Sequence, residues 1–98
     1  MLSFAEMINM QKPVLVDFFA TWCGPCKTQS PILSEVKKRV GDSVSIIKID
    51  VDKSPGTAAS YQVQSVPTLL LFKAGKVVWR QSGVVQAKQL EEVLRRFA

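Results

Sequence analysis

The 98-residue sequence has no histidine, a single tyrosine and only two cysteines. The two cysteines, Cys23 and Cys26, flank a Gly-Pro pair in the stretch TWCGPC. Structural zinc takes about four ligands, mostly cysteine and histidine. One chain with two thiols and no imidazole does not supply that set. A zinc site here requires four thiolates shared between two chains.

Long apolar runs are also absent. None approaches the roughly 18 residues that a helix needs to cross a bilayer. The opening stretch, MLSFAEMINMQKP, lacks the basic segment followed by a continuous apolar stretch that marks a signal peptide. We therefore expect no membrane partner and a cytoplasmic location. The length predicts a single domain over residues 1–98, and a hydrophobic content of 47% is enough for one core.

Acidic residues are few, because 8 Asp and Glu stand against 13 Lys and Arg, for a net charge of +5. The basic residues are scattered along the chain, without interleaved aromatic residues or a recognised nucleic-acid motif. We expect this charge to favour acidic partners rather than nucleic acid. A monomer is the expected state.

Apolar patterns predict an α/β chain. The run VLVDFF at 14–19 is apolar except for Asp17, which is typical of a strand buried on both faces. Strand, helix and strand in succession predict a parallel pair, and KAGK predicts an antiparallel hairpin. The result is a mixed sheet of four to five strands with helices on both faces. Strands are predicted at 14–19, 43–51, 68–72 and 77–81, and helices at about 4–9, 24–40 (kinked at Pro31), 57–61 and through 90–97.

The Cys23–Cys26 pair has two interpretations besides zinc. As a structural staple, a disulfide closes a very short loop here and adds little stability. As a redox couple, the pair needs only a helix that begins at Cys23. Free backbone N–H groups and the positive end of the helix dipole then favour the Cys23 thiolate. We expect Cys26 to be more buried and to resolve the mixed disulfide that Cys23 forms. The redox interpretation is favoured.

The stretch FFATWCGPCK at 18–27 resembles the active-site segment of the thioredoxin family. The similarity covers nearly the whole chain. Its other parts are VLVDFF, PIL, IIKIDVDKSPGTA, YQVQSVPTLLLFKAGK and a late SG, in the family's order and spacing. The resemblance implies the thioredoxin fold and a thiol–disulfide oxidoreductase that reduces disulfides in other proteins. It also implies no bound cofactor, since the dithiol carries the two electrons, and a flavin-dependent thioredoxin reductase as partner.

The same resemblance assigns roles to single residues. Cys23 matches the nucleophile, Cys26 the resolving thiol, and Asp17 the buried acid that assists proton transfer at Cys26 through water. Burial in an apolar strand is expected to raise the pKa of Asp17, and the alternative is a carboxylate that reaches solvent at the strand end. The other positions that match residues around the family's site are Trp22, Gly24, Pro25, Lys48, Val66, Pro67 and Gly83.

Several of these positions carry specific expectations. Pro67 matches a cis-proline that faces the site, and the Val66 backbone before it would offer an edge to an extended partner segment. With Trp22 and Gly83 these residues are expected to form a flat apolar contact surface. Lys48 matches a lysine near the buried acid, although a lysine that simply extends to solvent is an equally good interpretation.

The sequence also departs from the family's pattern. Phe19 stands where many members carry a second tryptophan, and the basic charge differs from the acidic balance of many bacterial members. The similarity begins about one short strand late, so an outer strand is expected to be missing or reduced, which exposes a sheet edge. Two rival functions stay open, an oxidant or isomerase on the same fold and a scaffold that does not need its thiols.

Overall fold

A computed structural model describes residues 2–98 of the chain. The strands are β1 (Val14–Phe19), β2 (Ser45–Asp50), β3 (Thr68–Lys73) and β4 (Lys76–Ser82). The helices are α1 (Phe4–Ile8), α2 (Gly24–Val40), α3 (Pro55–Ser60) and α4 (Ala87–Arg96). The strands of this part of the chain form one sheet in the order β2-β1-β3-β4, parallel between β1 and β2 and antiparallel elsewhere. The predicted mixed sheet is confirmed, with four strands.

The helices lie on both faces of the sheet, as predicted. Leu15 of β1 belongs to one core cluster with residues of α2 and α4, whereas Val14 and Val16 belong to a second cluster with Ile8 and Ala58. Successive side chains of a strand point to opposite faces. The alternation within β1 therefore places α2 and α4 on one face and α1 and α3 on the other. Burial on both faces explains the nearly continuous apolar character of β1.

The observed element boundaries differ most at β2 and α3. β2 begins at Ser45 rather than at 43, because Gly41–Ser43 form a 3₁₀ turn in which the Ser43 hydroxyl donates to the Val40 carbonyl oxygen at 2.6 Å. α3 begins at Pro55 rather than at 57, since a proline in the first helical turn loses no hydrogen bond. Pro31 lies inside a continuous α2, and the kink expected there stays a prediction.

The hairpin and the sheet edge follow the sequence pattern. Between β3 and β4 the chain turns at Ala74 and Gly75, with φ of +51° and +82°, and glycine adopts such a conformation without steric cost. At the opposite side of the sheet, β2 pairs with β1 alone, and no strand within residues 2–98 covers its outer side. Within the described residues, the outer side of β2 is therefore unpaired.

Candidate active site

The two cysteines lie at the N-terminus of α2 and form a disulfide, with their Cα atoms 5.3 Å apart. Cys23 is the N-cap residue, and its Sγ accepts a hydrogen bond from the Cys26 backbone N–H at 3.1 Å. Gly24 and Pro25 form the first helical positions, and Pro25 removes an N–H that has no helical acceptor there. The Cys23 sulfur therefore lies where backbone N–H groups and the helix dipole favour a negative charge.

The two cysteines are buried to the same extent, which differs from the expectation. Cys26 is not more buried than Cys23, because the residues are 5% and 4% exposed. The disulfide forms a small apolar cluster with Ala20, against which Phe19 and Val66 pack, so both cysteines share the same cover. Burial therefore does not distinguish the two cysteines, whereas their positions at the start of α2 do.

Asp17 is fully buried in the centre of the sheet, as its apolar neighbours predicted. No donor from residues 2–98 reaches either of its carboxylate oxygens. Burial raises the pKa of Asp17 from 3.8 to about 6, and the positive charge of Lys48 opposes this shift. The alternative of a strand-end carboxylate in solvent is wrong. At neutral pH such an acid is largely ionised but close enough to its pKa to exchange a proton.

Lys48 connects this acid to the surface. It is the direct neighbour of Asp17 in the β1–β2 register, and its side chain is exposed. Its Nζ donates to Ser30 Oγ at 2.6 Å and lies 5.3 Å from the centroid of the Phe19 ring. Lys48, Ser30 and Cys26 line one cleft of about 260 Å³. The structure thus brings Lys48 beside Asp17 and into one cleft with Cys26, while its side chain is exposed.

The residues expected to form a contact surface lie around a groove next to Trp22. The Val66–Pro67 peptide bond is cis, as the resemblance implied, and the Gly83 N–H donates to the Pro67 carbonyl oxygen at 2.9 Å. Trp22 is 70% exposed and shares a groove of about 140 Å³ with Val66. Pro67 itself is buried, so it supports this surface from below rather than forming part of it as expected. Gly83 is exposed and has a φ of +86°, which favours glycine.

Asp52 is a residue of this surface that the sequence did not single out. Its Oδ2 accepts a hydrogen bond from Trp22 Nε1 at 2.8 Å, which fixes the orientation of the exposed indole. The Asp52 N–H in turn donates to Asp50 Oδ1 at 2.9 Å. The only signal in the sequence was the turn composition of DVDKSP, which is typical of a loop and says nothing of a tryptophan 30 positions away.

Gln29 is a second residue that the sequence did not indicate. It is fully buried, its Oε1 accepts from the Val85 N–H at 2.7 Å, and its Nε2 donates to the Val85 carbonyl oxygen at 3.0 Å. These bonds attach the active-site helix α2 to the segment between β4 and α4, close to Gly83. A glutamine at a buried helix position was the available signal, but its partner lies 56 positions away.

Replacing Gln29 is expected to destabilise the protein substantially. Gln29→Leu fills the same space but leaves the Val85 N–H and C=O buried without partners, and each unsatisfied group costs about 1–3 kcal/mol. We expect the free energy of unfolding in urea to fall by about 2–4 kcal/mol. Gln89→Leu is the matched control, because Gln89 is exposed and bonds only to Gln81 at 3.2 Å. Equal stability of the two variants would contradict this account.

Within residues 2–98, no group of three or more Cys, Asp or Glu side chains is arranged to hold a metal ion. In the same part of the chain, every helix is too short or too polar to cross a bilayer.

The disulfide defines the class of the protein. The sequence has no cysteine besides Cys23 and Cys26. Their disulfide can take up two electrons to become a dithiol, and the dithiol can pass these electrons to another disulfide. A cysteine pair of this kind in an α/β fold, beside a buried acid and an exposed groove, is typical of a thiol–disulfide oxidoreductase.

Comparison with known proteins gives the family. The family model described as thioredoxin matches residues 2–96. A thioredoxin-like protein of Synechocystis sp. is 52% identical over 96 residues, which are 97% of this chain and 91% of that protein. A thioredoxin of Mycobacterium tuberculosis is 46% identical over 97 residues, 98% of this chain and 81% of that protein. The chloroplastic thioredoxin Y2 of Arabidopsis thaliana is 48% identical over 91 residues, 92% of this chain and 54% of that protein. The chain belongs to the thioredoxin family, and it is a protein-disulfide reductase.

Proposed function

We propose that Cys23 is the nucleophile and Cys26 the resolving thiol of a two-step exchange. The Cys23 thiolate attacks one sulfur of a partner's disulfide, a Cys23–partner disulfide forms, and the other partner sulfur leaves as a thiolate. Cys26 then attacks Cys23 Sγ, the Cys23–Cys26 disulfide forms, and the second partner sulfur leaves. The partner gains two electrons and the protein loses two. The observation that carries this assignment is the Cys26 N–H bond to Cys23 Sγ at the start of α2.

Asp17 serves the second step in this proposal. The Cys26 thiol must lose its proton before it attacks, and a carboxylate with a pKa of about 6 accepts a proton near neutral pH. We propose that the proton passes through water, because the cleft of about 260 Å³ that Cys26 shares with Lys48, the register neighbour of Asp17, has room for several water molecules. Lys48 keeps a positive charge beside Asp17 and favours its ionised form.

The proposed contact surface consists of Trp22, Val66 and the exposed Gly83, supported by Pro67. Its substrates are disulfide-containing proteins whose backbone next to the reactive sulfur is extended enough to reach the Val66 segment. A flavin-dependent thioredoxin reductase is the proposed donor that returns the disulfide to the dithiol. The exposure of Trp22 beside a groove supports a protein partner on this side of the disulfide.

We further propose that residues 1–98 act as one domain and as a monomer, because the disulfide, the acid and the groove all come from one chain. The cytoplasm stays the proposed location, since a reducing compartment lets the dithiol persist. A chloroplast is the alternative that the Arabidopsis relative's name raises.

Loss of the Asp52–Trp22 bond is expected to impair recognition but not chemistry. The measurement is a steady-state assay with NADPH, thioredoxin reductase and a disulfide-bonded model protein. Asp52→Ala is expected to raise KM about two- to tenfold, the factor that corresponds to the net free energy of one hydrogen bond. We expect kcat to stay unchanged. Asp42→Ala removes the same charge from an exposed turn far from Trp22 and is the control. A lower kcat at unchanged KM would remove this surface from substrate binding.

A further inference from the structure

Gln29 occupies a position on α2 where the helix pattern favours an apolar residue. The buried residues of this helix are Cys26, Gln29, Leu33 and Val36, which recur at the spacing of one helix face. Gln29 is fully buried in this stripe, one turn after Cys26. Burying an amide side chain costs free energy unless its donor and its acceptor are both bonded. A glutamine at this position therefore requires a specific partner.

The partner is the backbone of Val85, which Gln29 bonds through both of its groups. Gln29 Oε1 accepts from the Val85 N–H at 2.7 Å, and Gln29 Nε2 donates to the Val85 carbonyl oxygen at 3.0 Å. Val85 is 1% exposed, and within residues 2–98 no backbone group bonds to its N–H or its carbonyl oxygen. The side-chain amide thus provides the partners that a neighbouring strand provides inside a sheet.

Val85 belongs to the segment 83–86, which joins β4 to α4 without helix or strand structure. At its start, the Gly83 N–H donates to the Pro67 carbonyl oxygen at 2.9 Å. At its end, the Gln86 carbonyl oxygen accepts from the Leu90 N–H at 3.1 Å, which begins α4. Within the described residues, every hydrogen bond between this segment and the active-site helix comes from Gln29.

These contacts close a ring that includes the disulfide. Two of its links are hydrogen bonds, one is the Val66–Pro67 peptide bond, and one is the packing of Val66 against the cluster that contains both cysteines. In order, the ring runs through Cys26, Gln29, Val85, Gly83, Pro67 and Val66. The position of Val66 relative to the two sulfur atoms is therefore set both by direct packing and by the bonds of Gln29.

We propose that Gln29 is a positioning residue for substrate recognition, which holds Gly83 and the Val66–Pro67 segment in place beside the disulfide. Because Gln29 is fully buried, it acts on the partner protein only through the backbone that it bonds. The inference rests on the contact surface proposed above. An extended partner segment must meet the Val66 backbone and the disulfide in one geometry, and a small displacement of one against the other weakens that fit.

The substitution Gln29→Leu separates recognition from chemistry. It fills the same space but leaves the Val85 N–H and carbonyl oxygen without partners. Because unpaired buried groups are unfavourable, the segment is expected to move until water reaches them. Gly83 moves with it, and its bond to Pro67 weakens. The bond between the Cys26 N–H and Cys23 Sγ involves none of these groups, so thiol chemistry is expected to continue.

The first measurement is amide hydrogen exchange of the oxidised, ¹⁵N-labelled full chain without any substrate. In Gln29→Leu the Gly83 amide is expected to exchange at least about tenfold faster than in wild type, because the segment opens locally. Leu94→Ala is the matched control. It removes a buried side chain from α4 and lowers the global stability without changing a hydrogen bond of Val85. Its Gly83 amide is expected to exchange at the wild-type rate.

The second measurement compares a large disulfide substrate with a small one. With a disulfide-bonded model protein, NADPH and thioredoxin reductase, Gln29→Leu is expected to raise KM about three- to tenfold at unchanged kcat. With the small disulfide dithiobis(nitrobenzoate), the prereduced variant is expected to react within about twofold of the wild-type rate. Leu94→Ala is expected to match wild type with both substrates at a temperature where it stays folded.

The conservative variant Gln29→Glu provides a rescue that depends on pH. The neutral form of the new carboxyl group accepts from the Val85 N–H and donates to the carbonyl oxygen, as the amide does, whereas the ionised form cannot donate. Burial favours the neutral form and raises the pKa of this group. The KM of Gln29→Glu relative to wild type is therefore expected to be raised at about pH 8 and to return toward one at about pH 6. The same ratio for Gln29→Leu is expected not to change with pH.

An unchanged Gly83 amide in Gln29→Leu, or equal acceleration in Leu94→Ala, would overturn the positioning role. An unchanged KM, or an equal loss of rate with both disulfides, would also overturn it. Trp22→Ala distinguishes this failure from failure of the proposed contact surface. A KM that does not respond to Trp22→Ala would contradict the surface itself, whereas the exchange of the Gly83 amide needs no substrate and reports on Gln29 alone.

Discussion

Cys26→Ser is expected to accumulate a covalent disulfide with partner proteins, whereas Cys23→Ser is expected to accumulate none. In Cys26→Ser the Cys23 thiolate still attacks the partner, but no second thiol resolves the intermediate. In Cys23→Ser the N-cap sulfur, which accepts the Cys26 backbone N–H, is gone, and the Cys26 sulfur does not occupy the N-cap position. Each variant should lose disulfide turnover entirely, so the trapped intermediate is what distinguishes them.

The measurement mixes each reduced variant with a disulfide-bonded model protein and separates the products on a non-reducing gel. The expected adduct of Cys26→Ser has the summed mass of both proteins and disappears with excess dithiothreitol. The two variants are controls for each other, since each removes one sulfur from the same turn of the chain. Equal trapping by both would remove the distinction between nucleophile and resolving thiol. Unchanged function of Cys23→Ser in a cellular assay would support a scaffold.

Asp17→Asn is expected to make the protein more stable at pH 8 and to slow the step in which Cys26 resolves the mixed disulfide. The folded-state pKa of about 6 is above the unfolded value of 3.8, so the folded protein binds this proton more tightly than the unfolded chain does. Stability from this group is therefore complete below about pH 4 and is lost as the pH rises through about 6. The difference of about two pKa units corresponds to about 3 kcal/mol.

Asp17→Asn does not lose stability as the pH rises through about 6, because asparagine does not ionise. Its advantage over wild type in the free energy of unfolding is expected to grow by about 2–3 kcal/mol between pH 4.5 and pH 8. Asp42→Asn changes an exposed carboxyl and is the control. If the difference in the free energy of unfolding between Asp17→Asn and wild type does not depend on pH, then burial does not disfavour the ionised form of Asp17.

The same substitution tests the role of Asp17 in proton transfer. Without a carboxylate to accept the Cys26 proton, resolution of the mixed disulfide near pH 7 is expected to slow at least about tenfold. Stopped-flow fluorescence of Trp22 follows the reaction of the reduced protein with a disulfide-bonded substrate. Unchanged kinetics across pH 6 to 9 would remove Asp17 from the mechanism, whatever its effect on stability.

Local patterns predicted the core of the fold well. The run VLVDFF predicted a strand buried on both faces and a carboxyl group whose pKa is raised by burial, while a carboxylate that reaches solvent at the strand end stayed the alternative. The spacing of Leu90, Val93 and Leu94 predicted the buried face of α4. Boundaries were wrong where capping decides them, as at Ser43, whose hydroxyl extends the end of α2 into a 3₁₀ turn.

The supporting residues of the site could not be predicted in the same way. Asp52, Gln29 and Ser30 act through partners 30, 56 and 18 positions away, and no local pattern encodes such contacts. The equal burial of Cys23 and Cys26 also depends on the packing of Phe19 and Val66 around the disulfide, which follows only from the assembled sheet. The proposed roles of the site residues come from the resemblance to the family, whereas their spatial neighbours follow only from the folded structure.

The most direct test of the reductase assignment is a redox titration of the Cys23–Cys26 pair against a thiol–disulfide buffer, followed by the fluorescence of Trp22 and Trp79. We expect one two-electron transition with a midpoint well below the roughly −180 mV typical of a disulfide isomerase. A midpoint at or above that value would move the protein to the oxidant or isomerase side. The absence of any two-electron transition would contradict the redox function itself.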